Sequence, residues 1–226
     1  MKIILTGTSG FIGTEILTQA LSHPDITSII ALSRKPLPSQ YTTNRKLTVI
    51  IIEDFLSYTP EILKQLEGAE GCIWSIGAKS TSPQTTRLVT VDYTVAAMKA
   101  LSTLPRRRER PFRFVFVSGF VVVRDQKASV WFFEEGRKVA GEAELNLISF
   151  AETNEGFESF IARPAFVLSK GNGVKNLVMS LLPSVGVDAL AAVLLDTAIN
   201  GGNMQTLENA ELLRRGRELK SVAKRG

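Results

Sequence analysis

Eight residues near the start, Thr6-Gly7-Thr8-Ser9-Gly10-Phe11-Ile12-Gly13, restrict this chain more than any other stretch. They follow a short apolar run, Lys2–Thr6, and open a helical pattern, Phe11–Leu21. In that strand-to-helix setting each glycine has a physical task. Gly7 permits a tight turn out of the strand. Gly10 has no side chain, so the backbone there can come close to a pyrophosphate. Gly13 lets the helix lie against the sheet. The helix start then offers unbonded N–H groups and a positive dipole end to phosphates. The turn therefore predicts a dinucleotide site, with Thr8, Ser9, Phe11 and Ile12 supplying the backbone between the glycines. A glycine turn without a ligand is the bland alternative.

The rest of the chain weighs against that alternative. Apolar runs predict further strands over Ser28–Ser33, Leu47–Ile52, Gly71–Ile76, Phe112–Val117 and Phe157–Ala162. Helical stretches separate them. One opens at Thr59-Pro60, with Thr59 as cap and Pro60 in the first turn. Another, Gln84–Thr103, stops before Pro105, and a third runs from about Val130 to Ala151. Alternation of this kind predicts an α/β fold, a Rossmann-like doubly wound parallel sheet. Beyond Arg163-Pro164 the pattern becomes helical: Val174–Leu182, then Ala189–Ile199 capped by Asp188 and ended at Gly201-Gly202, then Leu207–Leu219. The expected organisation is a single domain over 1–226. Residues 1–168 form the nucleotide-binding core, and 169–226 form a small helical C-terminal appendage on the substrate side.

The end of the second strand reads Ser33-Arg34-Lys35. A carboxylate there would bond the ribose 2′-hydroxyl of NAD, whereas two cations suit the 2′-phosphate of NADP. An exposed basic loop is the plainer reading. The expected cofactor is NADP(H), the expected further partner a small-molecule substrate, and the oligomeric state is open.

Charge and composition exclude several classes. Lys and Arg outnumber Asp and Glu by 27 to 22, with the excess in Arg106-Arg107-Arg108-Glu109-Arg110 and in residues 211–226. No aromatic residues interleave with these cations, so a solvated loop and tail are expected and no nucleic acid. One cysteine, Cys72, and one histidine, His23, cannot build a Cys/His zinc site, and no metal is expected. Cys72 reads as a buried small residue and His23 as a surface residue. No apolar run approaches the roughly 18 residues of a membrane span, so no membrane contact and a cytoplasmic location are expected.

Several short motifs fall in a telling order: Thr6–Gly13, Arg34, Asp54-Phe55, Ser75-Ile76-Gly77, Val117-Ser118 and Arg163-Pro164-Ala165. In these the chain resembles the short-chain dehydrogenase/reductase superfamily, in its atypical NmrA-like branch related to sugar-nucleotide epimerases. The resemblance implies that Asp54 contacts the adenine amino group with Phe55 beside it. It implies that Ser75, Ile76 and Gly77 line the ribose and pyrophosphate path. Pro164, Ala165, Phe166 and Val167 would border the nicotinamide.

The catalytic pair of that family is where the chain departs. Its enzymes carry Tyr-x-x-x-Lys on the helix after strand five, and a serine on that strand. The tyrosine gives a proton to a carbonyl oxygen, and the lysine lowers the tyrosine pKa. Aligning Gly141-Glu142-Ala143-Glu144 with the family's Gly-Glu-x-Glu puts Gly136 at the tyrosine position and Ala140 at the lysine position. Lys138 is two residues early, about 200° around the helix. Asp92 stands where an Asn is common, and none of the three tyrosines, Tyr41, Tyr58 and Tyr93, lies on this helix. Ser118 is the one catalytic candidate in place. The expected function is an NADP-dependent oxidoreductase acting on a small molecule. The alternative is a catalytically silent NADP(H)-binding redox sensor or regulatory protein.

Overall fold

The computed structural model describes residues 1–78, 82–105, 110–129, 131–170 and 182–223. In chain order the elements are β1 (Lys2–Thr6), α1 (Phe11–Ser22), β2 (Ser28–Ser33), a one-turn α2 (Ser39–Thr42), β3 (Leu47–Ile51) and α3 (Pro60–Leu66). Next come β4 (Gly71–Trp74) and α4 (Pro83–Arg87), which passes through a π-helical turn (Leu88–Asp92) into α5 (Tyr93–Ser102). There follow β5 (Phe112–Val117), α6 (Glu134–Thr153), β6 (Phe157–Arg163), β7 (Phe166–Leu168), β8 (Ser184–Gly186), α7 (Val187–Asn200), β9 (Thr206–Glu208) and α8 (Asn209–Ala223).

Seven strands form one parallel sheet in the order β3-β2-β1-β4-β5-β6-β9. The order reverses direction between β1 and β4, which opens a crevice beyond their carboxyl ends. Both faces of the sheet are covered, which explains why the strands read as continuous apolar runs. Successive residues of β1 point to opposite faces. Ile3 and Leu5 pack with Ile16, Leu17, Leu190 and Leu194 under α1 and α7. Ile4 packs with Trp74, Met98, Phe114 and Leu147 under α5 and α6. The sheet is Rossmann-like and the C-terminal part is helical, as expected.

Several boundaries differ from expectation, each for a local reason. β4 ends at Trp74, not Ile76, because Ser75 turns back to β1. Its amide donates to Thr6 Oγ1 at 3.2 Å and its hydroxyl to the Thr6 carbonyl at 2.7 Å. Asp188 does not cap α7. Gly186 does, because β8 runs to that residue, and the Asp188 carboxylate instead accepts from the Ala189 amide at 2.9 Å. Thr59 does cap α3, through its hydroxyl and the Ile62 amide. α6 starts at Glu134, after Phe133 in left-handed backbone, and α8 starts at Asn209, because Thr206–Glu208 pairs with the end of β6. The expected helix Val174–Leu182 falls outside the described residues except for Leu182, which sits in a bend. Arg106–Glu109, Lys224 and Arg225 also lie outside them. The described cations of the C-terminal helix are largely paired within the chain. Arg214 bonds Glu211 and Glu218, Arg215 bonds Asp196, and Lys220 bonds Asp188.

Candidate functional site

The glycine turn leaves β1 through Gly7, whose φ of +67° a side chain would disfavour. A β-carbon on Gly7 would lie 2.4 Å from the Ser75 carbonyl oxygen, and one on Gly13 2.1 Å from the Gly7 carbonyl oxygen. These two glycines are therefore required by the fold itself. Gly10 differs. Its φ is −89°, open to any residue, and a β-carbon there meets only the Gly7 carbonyl oxygen, at 3.2 Å. The Gly10 amide donates to Gly7 O at 2.8 Å, and Gly10 O accepts from the Thr14 amide at 2.9 Å. α1 begins here with no side-chain cap and no acidic residue in its first turn. A helix start left this way favours an anion. Thr8 is buried, Ser9 and Phe11 are exposed, and Ile12 packs partly against the core.

Arg34 and Lys35 project beyond the end of β2, both exposed, and neither has a carboxylate partner among the described residues. The Ser33 hydroxyl is turned to local work, donating to the Lys35 carbonyl at 2.7 Å. Asp54 is exposed, and one of its oxygens accepts from the Leu56 amide at 2.9 Å. Phe55 does not accompany it to the surface. Its ring is buried edge-on to Trp74, with centroids 5.6 Å apart. Ile76 packs partly on the same core, and Gly77 is exposed with open space around it.

At the ends of β5 and β6 the structure assembles a group that the motifs do not announce. Glu144 of α6 has no exposed surface. One of its oxygens accepts from the Ser118 hydroxyl at 2.5 Å and from Arg163 Nε at 3.0 Å. The other accepts from Arg124 Nε at 2.7 Å and from Arg163 Nη2. Arg124 also donates to Thr206 Oγ1 at 2.8 Å, and Arg163 to Glu208 at 3.1 Å. The hydrogen bond from Arg163 to Glu144 holds that guanidinium above its ordinary pKa. The proton of Ser118 is thus engaged by a buried carboxylate. Pro164 is buried and its carbonyl accepts from the Phe120 amide at 3.0 Å. Ala165 donates its amide to Asn209 Oδ1, Val167 is half-buried, and Phe166 is exposed.

On α6, Gly136 is exposed with nothing within 4 Å of a β-carbon, and Ala140 is half-buried. Lys138 is tied to Glu134 at 2.6 Å. Burial pushes the Cys72 thiol above its usual range, and Cys72 lies near the amino end of β4, away from the carboxyl ends of the strands. Among the described residues no cluster of metal-binding side chains occurs, and no helix is long and apolar enough to cross a membrane.

No family model matches the chain. A stretch of 120 residues is 40% identical to leucinostatins biosynthesis cluster protein T of Purpureocillium lilacinum, spanning 52% of this chain and 42% of that protein, less than half its length. Solved structures match more widely. Gre2 of Candida albicans in complex with NADPH is 16% identical with a TM-score of 0.69, covering 92% of this chain and 77% of that one. UDP-glucuronic acid 4-epimerase of Bacillus cereus in complex with NAD is 14% identical with a TM-score of 0.67, covering 92% and 78%. An oxidoreductase of the short-chain dehydrogenase/reductase family from Burkholderia thailandensis is 13% identical with a TM-score of 0.64, covering 98% and 97%. At identities of 13–16% what is shared is the fold, and the chain is built on the fold of the short-chain dehydrogenase/reductases and their epimerase relatives.

Proposed function

We propose that the chain binds NADP(H) at the glycine turn and acts as an oxidoreductase on a small molecule. The single observation that carries the cofactor choice is the exposed pair Arg34 and Lys35 at the end of β2, free of carboxylate partners among the described residues. The residues fit the group. Gly10 leaves open space before the uncapped start of α1, where the amides of Phe11, Ile12 and Gly13 would take the pyrophosphate. Arg34 would fork onto the 2′-phosphate, with Lys35 adding a point charge. The second carboxylate oxygen of Asp54 would accept from the adenine amino group. Ile76 and Gly77 would border the ribose, and Pro164, Ala165, Phe166 and Val167 the nicotinamide. Ser75 would act at one remove, by holding β4 to β1 beneath the turn. NADP(H), when bound, supplies or takes a hydride at a substrate carbon. The similar structures named above hold NADPH or NAD, which supports the nucleotide class.

A second reading is an NADP(H)-binding sensor without turnover. The specific observation favouring it is on α6, where Gly136 and Ala140 stand at the aligned positions of the proton-transfer pair, while the Ser118 hydroxyl donates its hydrogen bond to Glu144. Paired calorimetric titrations of NADPH and NADH test the shared claim. Gly10→Val should abolish binding of both, since its backbone is permissive and its new side chain enters the phosphate space. Arg34→Ala should weaken NADPH by roughly 5–150-fold and NADH little, the worth of about 1–3 kcal/mol for a screened charged contact. Equal losses for both cofactors would remove the NADP assignment. NADPH oxidation across a carbonyl panel then separates the enzyme from the sensor.

A further inference from the structure

Arg34 can select a cofactor only if its guanidinium is presented where the 2′-phosphate would lie. The side chain itself has nothing to hold it there, since it is exposed and bonds no other described residue. What is fixed is the backbone on either side. Ser33, the last residue of β2, is locked into the sheet, where its carbonyl accepts from the Ile52 amide at 3.0 Å. Its buried hydroxyl reaches across Arg34. It donates to the Lys35 carbonyl at 2.7 Å and accepts from the Lys35 amide at 3.3 Å. Both backbone polar groups of Lys35 therefore return to one hydroxyl, and the chain turns tightly with Arg34 at the apex.

The far side of the turn is restrained as well. Pro36 confines Lys35 to extended conformations. Leu37 then re-enters the buried layer beneath α1. These restraints are conformational. Among the described residues, the side-chain hydrogen bonds of the turn all come from Ser33.

We propose that Ser33 is a positioning residue that sets the cofactor choice, by fixing the backbone that carries Arg34 and Lys35 and without touching the phosphate. The inference rests on the NADP(H) reading of this site. Proton bookkeeping separates positioning from direct contact. A phosphate dianion is an acceptor, and a serine hydroxyl has one proton to donate. That proton is committed to the Lys35 carbonyl. The gain is preorganisation. An arginine on a loose loop loses backbone as well as rotamer freedom when it forks onto a ligand, whereas on a closed turn it loses only rotamer freedom. NADH lacks the 2′-phosphate, so the effect reaches NADPH alone and Ser33 discriminates between the two.

Calorimetric titrations of NADPH and NADH on four variants test this: Ser33→Ala, Ser33→Thr, Arg34→Ala/Lys35→Ala, and that pair combined with Ser33→Ala. Ser33→Ala should weaken NADPH about 2- to 10-fold, the range for one lost neutral hydrogen bond. NADH affinity should stay at the native value, which also shows that the fold persists. Ser33→Thr keeps the hydroxyl and should restore native NADPH affinity. In the Arg34→Ala/Lys35→Ala background, adding Ser33→Ala should cost nothing more, because the residues through which Ser33 acts are gone. Three results overturn the proposal. Native NADPH affinity in Ser33→Ala would show that the turn needs no hydroxyl. Equal weakening of NADPH and NADH would make Ser33 a general support of the fold. A loss of NADPH affinity that persists in the Arg34→Ala/Lys35→Ala background would make Ser33 a direct phosphate contact. Failure of the cofactor reading looks different: the native protein would show no preference for NADPH, and this inference would fall with it.

Discussion

Glu144 shows how a single buried charge can organise the end of a sheet. Two guanidiniums and a hydroxyl converge on its carboxylate, drawn from the β5 end, the following loop and the β6 end. Removing one partner of such a group leaves buried charge uncompensated, which costs about 3–5 kcal/mol. In Glu144→Gln the guanidiniums left behind are partly exposed and Arg163 keeps Glu208, so stability in urea should fall by less, about 1–3 kcal/mol. Ser118→Ala removes one neutral donor from a carboxylate that keeps three others, and should cost about 1 kcal/mol. Equal losses in the two variants would show that the carboxylate is solvated. Little of this is legible in the sequence. Glu144 enters the sequence only as a marker for aligning the helix, and Arg163 only as the end of a strand. Arg124 lies in a loop without periodicity, so nothing in the chain's pattern places it beside them. Phe55 was misleading in the opposite sense: its neighbour Asp54 is exposed, but the ring alternates inward to meet Trp74. Gly7 and Gly13, by contrast, are readable because their need is steric and local.

At the scale of elements, the docking of α8 on α7 rests partly on Asp188. Its carboxylate meets Lys220 at 2.7 Å. Burial, the largest influence, pulls the Asp188 pKa upward. Hydrogen bonds from Lys220 and the Ala189 amide, with the Lys220 charge, outweigh it and hold the group below its usual value. A folded value below the unfolded one means that the stabilisation is complete above about pH 4 and is lost as pH falls through the folded value. Lys220 is half-exposed, so the pair is worth under about 1 kcal/mol. The melting temperature of Asp188→Asn should thus fall slightly below native at pH 7, and the gap should close toward pH 2. A gap that persists in acid would mean that Asp188 acts through its shape or its backbone contacts. The element pattern itself was legible where elements are long. The strands from β1 to β6 show as apolar runs, and the helices α1, α6 and α7 run long enough for a helical period to show. β7, β8 and β9 have three residues each, too few to carry a period. They form because β6 and the chain beyond it offer open backbone edges.

For the whole molecule, the decisive question is whether residues 1–168 stand alone as a nucleotide-binding core. Motif order alone suggests that they do, since the turn, Arg34, Asp54, Ser75 and Pro164 all precede residue 169. Packing argues otherwise. The face of the sheet formed by Ile3, Leu5, Ile73 and Val115 is roofed by α1 together with α7. From beyond residue 168 come Leu190, Leu194, Leu195, Leu207 and Leu212, all at or near complete burial in that layer. Burying each leucine stabilises by about 1.5–3 kcal/mol. Five of them together come to about 8–15 kcal/mol, comparable to the about 5–15 kcal/mol by which a whole domain is stable. A fragment ending at Leu168 would expose one face of β4 and β5 to water while keeping every motif of the cofactor site. It should therefore fail to fold and fail to bind NADPH, although no proposed contact to the cofactor is removed. The intact chain should melt in a single calorimetric transition, because both helical layers share one sheet. A fragment with native near-ultraviolet circular dichroism, or two resolved transitions in the full chain, would show instead that the C-terminal layer is an addition to a self-sufficient core.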